Sequence, residues 1–121
     1  MSIERALRIL DKLRKGKTIR RWALMGSVAA SLYTRPVTTE DVDVIIEVDS
    51  DKEFISVFRS LASVEGTRGL HILLGGTPVQ LFPTTIGALY KDTPAKAWVF
   101  KTQSGGLSVR TARPEHLIIL A

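Results

Sequence analysis

Cysteine is absent from all 121 residues. That excludes disulfides and thiolate metal sites, and nothing in the chain calls for an oxidising compartment. Histidine is scarce, with two residues, so the clustered imidazoles of zinc centres are missing too. No apolar run approaches the ~20 residues of a membrane-spanning helix. The opening "MSIERALRILDKLRKGK" is charged within its first five residues and lacks the continuous apolar core of an export signal. The simplest expectation is a soluble, cytoplasmic protein. One more gap is local: between Glu65 and Asp92 there is no acid at all.

What is present suits one ordinary domain, residues 1–121, because a hydrophobic content of 45% at this length buries a core without staples. The net charge of +5 is unevenly placed. Residues 1–21 hold eight Lys/Arg against two acids, and the remainder holds nine against ten. Such a basic segment can attract a polyanion such as RNA through counterion release, or form a solvated helix face.

Ile3, Ala6, Leu7, Leu10 and Leu13 fall at helical spacing, with Arg5, Arg8, Lys12 and Lys15 on the other side. A strand is expected at 22–25, stopping at Gly26, then a short helix over 27–33 and a loop over 34–39, where Pro36 keeps Arg35 out of helical geometry. Residues 42–48 are rich in β-branched side chains and apolar on both faces past Asp43, as in a central strand covered on both sides. A second amphipathic helix over 52–64 is expected to cross back over the sheet. "LHILLGGTPVQLF" reads as a hairpin turning at Gly75-Gly76, with His71 opposite Gln80. Beyond it come a helical turn near 86–90, strands around "AWVFKT" and "LSVRT" joined through Gly105-Gly106, and a helix opened by Pro114. Trp22 and Trp98 are expected to pack in the core, and His116 to lie on the surface.

Asp41 and Asp43 would share one face of their strand, about 7 Å apart. Like charges that close repel, and a divalent cation held by both removes the repulsion. Hard oxygen donors without thiols or a histidine cluster favour Mg²⁺ or Mn²⁺. Upstream, Gly26-Ser27 ends a strand and opens a helix, where backbone N–H groups and the Ser27 hydroxyl can hold phosphate oxygens. A phosphate cradle beside a carboxylate pair is what transfer of a nucleotidyl group from a triphosphate needs. Alone, Asp-Val-Asp also fits a plain strand end.

"MGS", thirteen residues and then "DVDV" resemble the signature of the nucleotidyltransferase superfamily, which has a DNA polymerase β-like fold. "RPVTTEDVDV" and the closing "LSVRTARPEHLIIL" are similar to its minimal, abortive-infection toxin-like branch. The resemblance runs from about Trp22 to Leu120. It implies an α/β (α+β) fold, a small mixed sheet packed with helices. It carries Gly26 and Ser27 over as nucleotide- and phosphate-binding, Asp41 and Asp43 as catalytic metal ligands, and an NTP as substrate; Arg35, in the loop before the pair, can contact phosphate, steady the carboxylates, or be a plain surface arginine.

Two departures stand out. The family's third carboxylate falls on "PVQLF", where this chain has Gln80, which carries no charge and cannot act as a general base. His71, its expected neighbour, is a candidate base for that third position, against the simpler reading of a structural histidine on a strand. Glu47 lies about 13 Å along the strand from Asp43, too far to complete the site. The chain also ends just past the Pro-Glu-x-Leu helix start, as in a minimal form, a fragment, or a protein completed by a small partner in the manner of toxin-antitoxin pairs. The leading expectation is a Mg²⁺-dependent enzyme moving a nucleoside monophosphate to a hydroxyl on RNA, protein or a small molecule. The alternatives are a catalytically weakened nucleotide-binding module acting through a partner, and a basic RNA-binding domain.

Overall fold

The computed structural model describes residues 3–26, 29, 42–101 and 108–120. The expected helix over 27–33, apart from Ala29, and the loop over 34–39 lie outside the described residues, as do Ser27, Arg35, Asp41 and the Gly105-Gly106 turn.

Strands β1 (Trp22–Met25), β2 (Val42–Ile46), β3 (Thr67–Arg68), β4 (His71–Leu74), β5 (Thr77–Pro83), β6 (Trp98–Lys101) and β7 (Ser108–Thr111) form one mixed sheet in the order β3-β4-β5-β2-β1-β7-β6. β2 lies between antiparallel β1 and parallel β5. A parallel neighbour needs a crossover, which α2 (Asp51–Glu65) and the β3-β4 pair provide. The helix starts at Ser50, whose hydroxyl accepts from the Glu53 N–H at 3.1 Å. A cap of that kind is worth roughly 1 kcal/mol.

Burial separates the two faces of the sheet. Val42, Val44 and Ile46 of β2 join Trp22, Leu24, Ile72, Leu74, Val79 and Leu81 in one core. Onto that face pack Ala6, Leu7 and Leu10 of α1 (Ile3–Lys15) and Val57 and Leu61 of α2. The opposite face carries Met25, Asp43, Gln80 and Phe82, since paired residues share a side. Phe82 meets Tyr90 of α3 (Ala88–Ala95), with ring centroids 6.4 Å apart. The expected hairpin turn is present: Gly75 and Gly76 have φ of 56° and 86°, the sign a two-residue primed turn demands. A Cβ at Gly75 would also stand 2.7 Å from the Arg5 Cβ.

Two expectations are corrected. Trp98 is 43% exposed because β6 is an edge strand, and the Arg113 guanidinium lies 5.7 Å from its ring centroid. His116 is buried, not superficial: α4 (Pro114–Leu120) turns it inward, with Nε2 3.0 Å from Asp92 Oδ2 on α3. Trp22, by contrast, is fully buried as expected. No helix among the described residues is long and apolar enough to cross a membrane.

Candidate active site

Backbone pairing joins the glycine bend to the carboxylate strand. Met25 ends β1 opposite Asp43, so the next residue leaves the sheet directly beside the Asp43 side chain. That residue, Gly26, has φ +72°, a left-handed value L side chains rarely adopt. A Cβ there would stand 2.6 Å from Asp43 Oδ2, 3.4 Å from its Cγ and 3.5 Å from its Cβ. The carboxylate therefore occupies the space a side chain at position 26 would take. Bend and acid form one unit.

On its other side Asp43 pairs with Gln80 of β5. The two half-buried side chains share a face at one strand spacing, about 4.8 Å. The β4-β5 register, Ile72 with Val79, continued by one residue sets His71 opposite Gln80. The structure thus gathers Gly26, Asp43, Gln80 and His71, four of the seven residues singled out from sequence. Ser27, Arg35 and Asp41 lie outside the described residues. Among the described residues, no group of three or more His, Asp or Glu side chains could hold a metal ion.

Glu47 stands apart, as its spacing required. The pairing of Trp22 with Ile46 carries on to Arg21 and Glu47, whose side chains meet in a two-pronged ion pair, Nε to Oε1 at 2.6 Å and Nη2 to Oε2 at 2.9 Å. Those hydrogen bonds from Arg21 hold the Glu47 carboxyl below its ordinary value of 4.5. A carboxyl lowered in the folded state stabilises the fold above its unfolded value and loses that contribution as pH falls through the folded one. Thermal stability should therefore decline as pH drops below about 4.5, and Glu47→Gln should flatten that acid limb in melting curves recorded across pH. An acid limb identical in Glu47→Gln would contradict this account.

Other cations near the N-terminus are paired as well. Arg8 meets Glu4, Arg14 and Lys15 meet Asp11, and Arg20 meets Asp49. With Arg21, five of the eight basic residues in 1–21 have acidic partners. Sequence reading missed the partners Glu47 and Asp49, because they become visible only once the β1-β2 register is known. A cavity of about 260 Å³ at this end of β2 is lined by Arg20, Glu47, Asp49, Thr84 and Lys91. It lies about 13 Å along the strand from Asp43, and its acids are engaged by Arg20 and Arg21.

No family model and no curated protein matches the chain. Solved structures do match it. One is a crystal structure of an antigenic nucleotidyltransferase-like protein from Paracoccidioides brasiliensis, at a TM-score of 0.56 and 19% identity over 98% of this chain. The fold is nucleotidyltransferase-like. At that identity the likeness concerns the fold alone, and the chain spans 65% of the length of that protein. Within the nucleotidyltransferase-like fold, the Gly26-Asp43 contact lies where strand β1 ends beside β2.

Proposed function

We propose that the chain is a divalent-cation-dependent nucleotidyltransferase, moving a nucleoside monophosphate from an NTP to a hydroxyl. The observation that carries this reading is the seating of Asp43 Oδ2 against a left-handed Gly26. A bare glycine backbone lets phosphate oxygens approach closely, and the acid beside it supplies a hard oxygen ligand.

This donor set fits Mg²⁺ or Mn²⁺: carboxylate oxygen from Asp43 and Asp41, an amide oxygen from Gln80, and no soft ligand. When bound, the cation would neutralise phosphate charge and help align the attacking oxygen. Gly26 and Ser27 would hold the phosphates, with Arg35 contributing charge. In the transfer, a bond forms between the acceptor oxygen and the α-phosphorus, the bond to the β-phosphate oxygen breaks, and pyrophosphate leaves with the electron pair. The acceptor's proton goes to an aspartate or to solvent, because Gln80 accepts none at neutral pH. Gln80 can instead orient the acceptor by hydrogen bonding through its amide.

A second reading is favoured by one observation, the neutral Gln80 beside Asp43: a nucleotide-binding module with weakened catalysis, acting through a small partner protein. Incubation with labelled NTPs, total RNA and Mg²⁺ separates the two. The enzyme reading expects label on an acceptor, lost on chelation and restored by Mn²⁺. Tight Mg²⁺-NTP binding with no label transferred would instead establish the module.

A further inference from the structure

Asp43 belongs to a row of polar side chains across four strands. Arg68 of β3 pairs with His71 of β4, His71 falls opposite Gln80 by the β4-β5 register, and Gln80 pairs with Asp43. Their strand neighbours Ile72, Val79, Val42 and Val44 turn to the other side, into the core. The row therefore lies on the face away from α1 and α2. It grades from carboxylate through amide and imidazole to guanidinium, and at about 4.8 Å per strand Arg68 stands about 14 Å from Asp43.

The cationic end is open to an anion, unlike the arginines engaged in ion pairs near the N-terminus. Arg8, Arg14, Arg20 and Arg21 have acidic partners, whereas Arg68 is exposed and no carboxylate among the described residues pairs with it. Beside it, at the turn between β3 and β4, Leu70 is 76% exposed. An open guanidinium that can fork onto a phosphate, next to an aliphatic surface that takes a base without reading it, suits a nucleic-acid strand.

We propose that Arg68 and Leu70 form the acceptor end of the site and that the acceptor is a single-stranded nucleic acid. A backbone phosphate sits on Arg68, a base packs on Leu70, and the terminal hydroxyl reaches along the row to Asp43. The inference rests on the transferase reading for what happens at Asp43, but the strand is held by different residues. With its bases stacked at about 3.4 Å per nucleotide, as within one strand of a duplex, the strand places Arg68 about four nucleotides from the reacting hydroxyl across the roughly 14 Å span.

The test is binding of a fluorescent oligoadenylate of about eight nucleotides, followed by anisotropy across salt concentrations, with Arg59→Gln as the control for net charge. Arg59 lies exposed on α2, which packs against the other face of the sheet. Arg68→Gln should weaken binding about tenfold beyond Arg59→Gln and reduce the salt slope by about 0.7, the share of one phosphate contact on a single strand. A dinucleotide should compete poorly, since it cannot span the row. Equal effects of Arg68→Gln and Arg59→Gln, or equal competition by the dinucleotide, overturn the proposal. Binding is read without turnover, so the two readings fail separately. Strand binding through Arg68 without transfer would remove the transferase assignment alone, and transfer confined to a protein with no Arg68 effect would remove this one alone.

Discussion

Asp43→Asn is expected to lower the rate of the proposed nucleotidyl transfer by about three orders of magnitude, while the thermal midpoint stays within a few degrees of the native value. The substitution keeps the shape of the side chain against Gly26 and removes only its charge. Val42 and Val44 on either side remain buried, so the strand keeps its register. A thousandfold is about 4 kcal/mol of transition-state stabilisation, within what a metal-bound carboxylate can supply. The measurement is transfer of labelled nucleotide at saturating Mg²⁺, alongside calorimetric binding of Mg²⁺-NTP. A native-like rate in Asp43→Asn would remove the carboxylate from the chemistry. A native chain already at the background rate, with Asp43→Asn weakening only Mg²⁺-NTP binding, would favour the module reading.

Much of this arrangement is legible in the sequence, and the reasons differ by element. Helical spacing from Ile3 to Leu13 gives α1 because one buried stripe is a local property. The run from Val42 marks β2 as central for the same reason, and Gly75-Gly76 fixes the β4-β5 register through turn chemistry. The pairing of Asp43 with Gln80 follows from two motifs on neighbouring strands. Three features were out of reach because they depend on which strand ends up where. Trp98 reads as core from its apolar neighbours and is half-exposed because β6 is last in the sheet. His116 reads as surface and is buried because Asp92, twenty-four positions earlier, draws its ring inward. β3 has only two residues, Thr67 and Arg68, too few for any periodic signal. Without β3, Arg68 has no reason to be grouped with Asp43.

Gly26→Ala should cost both stability and activity, and the two losses have different origins. Holding alanine at φ +72° costs roughly 1–2 kcal/mol. The new Cβ also meets Asp43 Oδ2 at 2.6 Å and Cγ at 3.4 Å, so the carboxylate must turn away from the bend. An acid displaced by about 1 Å loses on the order of a hundredfold in rate. The stability part of this account can be isolated. Asp43→Ala removes Oδ2 and Cγ and leaves only a Cβ, which at 3.5 Å from the introduced methyl is an ordinary contact. Adding Gly26→Ala to Asp43→Ala should therefore cost less stability than adding it to the native chain, with only the backbone strain remaining. A double-mutant cycle read by chemical denaturation measures that difference. Strictly additive stabilities would mean that the glycine answers to its backbone angle alone, and that the acid is not seated against it.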